Sequence, residues 1–315
     1  MSRFYMLKKY FHKIGISALS FFFMFHGILY SQTPADALLM EKGELCIAAM
    51  YQNDSWNKYW EGSLLRDNKN IGTLSRSNYI PMLAYGLTKR INILATLLYV
   101  STSASGGQMA GTSGFQDLGI FTKVKVIDKS AFQAFTAAGI SFPISEYLSD
   151  YMPLNLGLGT TEISLRAILK YEYHSKIYFR GSAAYLHRTT TEAERDYYYQ
   201  DGSIYSTTMD VPDVLSFDAA LGCWFWDHDV QLEALVGTQI GQSGDDIRRQ
   251  NMPQPTNKMD MKNVSGYIRY FPSFTQGFSV FGSVSQVFDG RNVGQSQTIT
   301  GGITYQFPIF KSTAQ

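Results

Sequence analysis

The sequence predicts an all-β chain, an up-and-down transmembrane antiparallel β-barrel of about twelve strands. Three observations carry this. Segments of roughly 9–15 residues alternate apolar and polar side chains. The connections between them alternate strictly between long and short. The N-terminus is basic and then apolar, as in an exported chain, and beyond it no stretch of about 20 apolar residues could form a spanning helix.

The N-terminus comes first in order. Arg3, Lys8, Lys9 and Lys13 precede an apolar run from Ile14 to Tyr30, and small Ser31 stands at a plausible cleavage position. This is the layout of a secretory signal peptide over residues 1–31. A retained membrane anchor is the alternative, but the run is short and interrupted by His26 and Gly27. No Cys stands at the cleavage position, which speaks against a lipoprotein. Residues 32–41 then form a short periplasmic segment, 42–310 the barrel and 311–315 a C-terminal tail.

Loss of residues 1–31 leaves 23 basic against 26 acidic side chains, a balance that argues against nucleic acid as a partner. The 21 Tyr, 21 Phe and 27 Gly, with few charges, favour β structure. Cys46 and Cys223 are too few for a disulfide framework and lie in apolar strand-like runs, which fits free thiols.

The clearest strand is Thr161 to Tyr173. Thr161, Ile163, Leu165, Ala167, Leu169, Tyr171 and Tyr173 share one face, and Glu162, Ser164, Arg166, Ile168, Lys170 and Glu172 the other. A helix would mix these sets, whereas a strand separates them. The runs 116–126, 177–187, 215–226, 230–239 and 263–270 repeat the pattern. Fainter candidates are 44–53, 73–87, 91–103, 131–144, 277–288 and 297–310.

Short turns are expected near 88–90, 127–130, 174–175, 227–228 and 272–273. Long loops are expected near 54–72, 104–114, 145–158, 189–213, 243–259 and 289–296. A barrel with short periplasmic turns and long external loops has this rhythm, and a soluble sandwich has no reason for it. The apolar face then meets lipid, the polar face lines the lumen, and closure removes the sheet edges that lipid cannot satisfy. Tyr171, Tyr173, Tyr185, Tyr270, Phe271 and Tyr305 are placed near strand ends, as interfacial aromatic girdles are.

The run from Thr300 to Phe307 resembles the last-strand signal recognised by the outer-membrane assembly machinery, with Gly302, Tyr305 and Phe307 as its key positions. The usual signal ends on a terminal aromatic residue, whereas Pro308 to Gln315 extend beyond it here. The expected partners are thus this machinery, outer-membrane lipid and lipopolysaccharide, and a small-molecule solute.

The segment Ser113-Gly114-Phe115-Gln116-Asp117-Leu118-Gly119-Ile120-Phe121-Thr122-Lys123-Val124, and the opening Lys42-Gly43-Glu44-Leu45, resemble the phenol-degradation meta-pathway outer-membrane proteins. The resemblance covers about residues 42 to 310. That family is related to outer-membrane transporters of fatty acids and aromatic hydrocarbons, so the resemblance implies passage of small, hydrophobic or aromatic solutes and supplies no binding residues to carry over. The fatty-acid transporters carry a plug of several tens of residues, whereas only Gln32 to Gly43 precede the first strand here, with room for a helix turn or two. The expectation is therefore that any constriction comes from interior side chains or a folded-in loop.

The polar faces gather Asp117, Lys123, Lys125, Glu162, Arg166, Lys170, Glu172, Arg180, Asp218, Glu233 and Arg269 in the lumen. They either fill it as a salt-bridged network or line a polar channel. Tyr197, Tyr198, Tyr199 and Tyr205 crowd one external loop and either receive a ligand or pack over the mouth. Asp245-Asp246 and Asp210/Asp213 lack metal-site spacing, and neither metal nor cofactor is expected. The reading is a channel or transporter for passive or facilitated uptake of small solutes in the outer membrane of a Gram-negative bacterium. The alternatives are a structural or adhesive barrel with a sealed interior and an outer-membrane lipid hydrolase. For the last, Ser182 lies five residues from His187 and so on the opposite face, and no Gly-x-Ser-x-Gly elbow is present.

Overall fold

In the computed structural model, residues 33–193, 197–199, 202–204, 206–248 and 252–309 are described. The expected signal peptide, Tyr205 and the C-terminal tail lie outside them. Twelve antiparallel strands close into one barrel: β1 (Glu44–Trp56), β2 (Leu74–Gly86), β3 (Ile91–Ala104), β4 (Ser113–Asp128), β5 (Phe132–Pro143), β6 (Glu162–Tyr173), β7 (Ile177–Arg188), β8 (Val214–Phe225), β9 (Val230–Gly241), β10 (Asp260–Tyr270), β11 (Phe278–Arg291) and β12 (Gln297–Pro308). Each strand pairs with its sequence neighbours, and β1 closes on β12 from Glu44↔Pro308 to Ser55↔Gln297. No edge is left to offer unpaired backbone groups to lipid.

The alternation read from the sequence sets the two faces. Leu165, Leu169, Phe179, Leu221, Val236, Ile268, Ile299 and Ile303 are exposed on the outer wall. Asn92, Lys123, Arg180, Ser216, Gln231, Arg269 and Thr304 are buried inside. Such a wall suits a bilayer outside and polar contents within. Pro81 sits on the outer face of β2, and since it has no N–H, the β2–β3 ladder lapses between Tyr79↔Tyr99 and Met82↔Thr96.

Two glycines allow close approach inside. The Phe121 ring lies over Gly139, where a Cβ would stand 2.0 Å from it, and the Tyr178 ring lies over Gly222 at 2.1 Å. Any side chain there would push the ring into the lumen. The short turns use left-handed backbone at His174 and Ser175 (φ 50° and 53°) and at Trp226 to His228. That twist matches tight hairpins. Tyr171, Tyr173, Tyr185, Tyr270 and Tyr305 are exposed on the outer wall as expected. Phe271 is not part of that girdle: it follows outward-facing Tyr270 and so turns inward, 6.3 Å from the Trp224 ring. Neither Cys46, buried inside, nor Cys223 is in a disulfide.

Candidate functional site

The lumen is the site, and a chain segment occupies it. Thr33 to Met40 turn back into the barrel from the short-turn end. The turn is held by its own side chains: the Asp36 N–H donates to Thr33 Oγ1 (3.2 Å) and the Leu38 N–H to Asp36 Oδ1 (3.0 Å). Lys123, fully buried on β4, donates from Nζ to Asp36 Oδ1 (2.6 Å), to the Thr33 carbonyl (2.6 Å) and to the Asp36 carbonyl (3.2 Å). Arg180 on β7 donates to the Ala35 carbonyl at 2.9 Å. Met40 packs with Cys46, Ala84, Leu94 and Phe121, and Ala37 with Phe135, Ile168 and Leu39. The expectation placed any constriction in interior side chains or a folded-in loop; the structure adds the segment before β1 to these. Eight residues suffice because a narrow twelve-strand barrel needs little filling, and the buried Lys123 charge needs a partner.

Beside this segment runs a charged ladder on the wall from β6 to β9. Arg166 Nη1 donates to Asp218 Oδ1 (3.2 Å) and to Ser182 Oγ (2.6 Å). Arg180 bridges Asp218 Oδ2 (3.0 Å) and Glu233 Oε1 (2.7 Å). The Tyr178 hydroxyl donates to Glu233 Oε2 at 2.8 Å. Nearer the ends, Lys170 pairs with Glu172, Lys125 with Asp128 and Glu162 with Arg188. Arg269 lies over three rings, Phe281 (5.2 Å), Tyr267 (5.4 Å) and Phe271 (5.8 Å), a cation–π arrangement. All eleven predicted lumen residues thus face inward, and Arg166, Arg180, Asp218 and Glu233 form one connected set.

The outer end is covered by loops. Residues 145–161 fold inward, burying Leu154, Asn155 and Leu156. Tyr147 donates to Asp117 Oδ1 at 3.1 Å. Burial, and then the Asp117 carboxylate, push the Tyr147 phenol well above its usual range, so it stays a donor. Asn292, with a left-handed backbone (φ 55°), joins three loops: its Oδ1 accepts from the Gly62 N–H (2.9 Å) and the Ile247 N–H (3.0 Å), and its Nδ2 donates to the Lys258 carbonyl (2.7 Å). Asp246 is gripped by Arg291 at 2.6 and 2.7 Å. That grip holds the Asp246 carboxyl below its usual range.

The predicted Tyr197–Tyr199 run forms a small ribbon with Gly202–Ile204. Asp213 accepts from the Arg188 N–H (2.8 Å) and lies 3.2 Å from His187 Nδ1. Partial burial opposes its ionisation, but the hydrogen bonds from Tyr185, Arg188 and His187 outweigh this and keep its carboxyl low.

Sequence reasoning missed Asp36, Arg76, Asp54 and Tyr147. Asp54 and Arg76 lie on the inward phase of β1 and β2: extending the faint run 44–53 by one residue would have found Asp54, and assigning faces within 73–87 would have found Arg76. Nothing in the local sequence pairs Asp36 with Lys123.

Among solved structures, the chain is similar to an outer membrane channel from Pseudomonas putida F1, at a TM-score of 0.68 and 16% identity over 88% of this chain and 100% of that one. More distant likenesses are the KdgM porin (TM-score 0.46, 7% identity, 82% of this chain and 99% of that one) and the CymD monoaromatic hydrocarbon channel (TM-score 0.42, 10% identity, 86% and 90%). No protein-family model and no curated protein matches the chain. The closed twelve-strand wall and the likeness to the Pseudomonas putida channel make the fold that of an outer-membrane β-barrel.

Proposed function

We propose that this barrel is a channel for passive or facilitated uptake of small solutes, hydrophobic or aromatic ones among them, and that its own N-terminal segment stoppers it at rest. The observation that carries this reading is the nature of the filler. The lumen is filled by a separable strap held by one ion pair, a few carbonyl contacts and two small apolar contacts, Met40 at one and Ala37 with Leu39 at the other, not by a continuous apolar core. A strap of that kind can leave and return, and a solute gradient is enough to drive passage once it has left. The resemblance of residues 113–124 to the phenol-degradation meta-pathway proteins supports the choice of solute class. Arg166, Arg180, Asp218 and Glu233 would line the opened path and set its selectivity.

A sealed structural barrel is the second reading. Complete burial of Lys123 and the connected Arg166–Asp218–Arg180–Glu233 set favour it. Single-channel recording of folded, heat-modifiable protein in planar bilayers separates the two. Discrete steps altered by small aromatic acids or hydrocarbons support the channel. Silence under every solute, with the Asp36→Asn variant equally silent, supports the sealed barrel.

A further inference from the structure

We propose that residues 145–161 are an outer gate and that Arg76 is its latch, switching between the gate's backbone and two carboxylates. The inference concerns the outer mouth and goes beyond the stopper at the other end. Arg76, inward-facing on β2, donates from Nη1 to the Asn155 carbonyl (3.1 Å) and from Nη2 to the Leu156 carbonyl. Leu154's carbonyl is held by two hydroxyls, Thr102 Oγ1 of β3 (2.8 Å) and Thr112 Oγ1 just before β4 (2.6 Å). Backbone pairing with β4 ends one residue past Pro143, where the Ile144 N–H donates to the Gln116 carbonyl (3.0 Å). The loop's seat is these polar clips, the Tyr147 contact to Asp117, two buried leucines, Leu154 and Leu156, and a set of flanking bonds: Ser145 Oγ to the Phe115 carbonyl, Ser149 with Thr191 and the Glu192 carbonyl, Tyr151 to the Ala110 carbonyl (3.0 Å) and Thr161 with Thr189.

What surrounds the guanidinium gives it an alternative. Its Nε donates to Asn78 Oδ1 (3.2 Å), and Asn78 Nδ2 donates to Asp54 Oδ2 (3.0 Å). Its Nη2 donates to Gln116 Oε1 (3.0 Å), and Gln116 Nε2 donates to Asp117 Oδ2 (3.1 Å). Each carboxylate is thus one neutral amide away from the cation. In the closed state Arg76 bonds only neutral acceptors. Asp54 is served by neutral donors, Gln52, Asn78 and Thr298 at 2.6 Å. Charge-assisted, forked arginine–carboxylate bonds are stronger than bonds to carbonyls. If the loop lifts, Arg76 can release two carbonyls and take a carboxylate, so the open state keeps the buried cation satisfied. Two discrete arrangements of one side chain are what a gate requires.

The test reads access from outside, not solute passage, so it can fail while the channel reading stands, and the reverse. Ser283 faces the lumen on the same ladder row as Asn78, Gln52 and Thr300, one row inward of Arg76. In a chain carrying Cys46→Ala, Cys223→Ala and Ser283→Cys, intact cells are treated with a membrane-impermeant maleimide. Arg76→Gln, and separately Thr102→Val, should speed labelling on the order of tenfold, since each removes a bond that holds the gate shut. Adding Asp54→Asn and Asp117→Asn to Thr102→Val should bring the rate back towards that of the parent, because Arg76 then has no carboxylate to take. Heat modifiability confirms that each variant is folded. Unchanged labelling in both Arg76→Gln and Thr102→Val overturns the gate. A Thr102→Val rate that ignores the two asparagines overturns the switch.

Discussion

Lys123 and Asp36, 87 residues apart in the chain, meet at 2.6 Å inside the barrel, and the lysine has no exposed surface. A β4 side chain and an eight-residue leader thereby become one structural unit. The barrel supplies a buried cation that it cannot satisfy from its own wall at that place, and the segment supplies a carboxylate and two carbonyls. Arg180 joins the two halves of the lumen, since it touches both the segment and the Asp218–Glu233 ladder.

Asp36→Asn should therefore release the segment. Removing one partner of a buried pair leaves an uncompensated charge and costs about 3–5 kcal/mol. A protease added to the short-turn face should clip residues 33–40 faster in the variant than in the parent. Asp36→Leu combined with Lys123→Met should stay protected, because apolar replacement of both partners removes the unpaired charge. If both variants are clipped alike, the pair is not what seats the segment.

Arg180→Gln should shift ion selectivity more than Arg166→Gln. Arg180 bridges two carboxylates, Asp218 and Glu233, whereas Arg166 shares only Asp218. Its loss leaves net negative charge in the lumen, so reversal potentials under a KCl gradient should move towards cations. Identical reversal potentials in the two variants would show that these charges do not line the conducting path.

The Asp246–Arg291 grip should loosen in acid. The folded carboxyl titrates below its ordinary value of about 3.9, so its stabilisation is present above that value and is lost as pH falls through the lower, folded one. Both side chains are over 40% exposed, so the contribution is small, within about 1 kcal/mol. A spin label at Met252 should show no mobility change from pH 7 to 5 and a rise in strong acid. Asp246→Asn should be mobile throughout. A transition centred near neutral pH would point to another group.

Gly139→Val should unseat the stopper without touching it. The new side chain displaces the Phe121 ring, which packs on the cluster containing Met40. Overpacking of this kind costs about 1–3 kcal/mol. The variant should fold, by heat modifiability, yet expose residues 33–40 to protease as Asp36→Asn does. Parent-like protection would mean that Phe121 is dispensable to the seat.

Alternation made the barrel legible. Ile163 to Tyr173 and Leu215 to Phe225 each separate two chemistries cleanly, and the short hairpins at His174–Ser175 and Trp226–His228 fall where periodicity stops. The lumen set was legible for the same reason, since Lys123, Arg166 and Arg180 stand at inward phases of strong strands. The stopper was not. Ala35 to Met40 look like any small apolar stretch, and the need they answer arises only when closure buries Lys123. The outer gate was hidden likewise, because its contacts run from side chains to backbone carbonyls of Leu154, Asn155 and Leu156, which no sequence pattern announces. Phe271 was misplaced because a girdle was read from proximity to a strand end, whereas its phase relative to Tyr270 decides its face.

The most direct measurement is single-channel conductance of the folded chain with and without residues 33–40. The parent should be mostly closed, and a truncated barrel, still heat-modifiable, should conduct in steady discrete steps. A folded truncated barrel as silent as the parent would contradict this and leave the lumen sealed by its own wall.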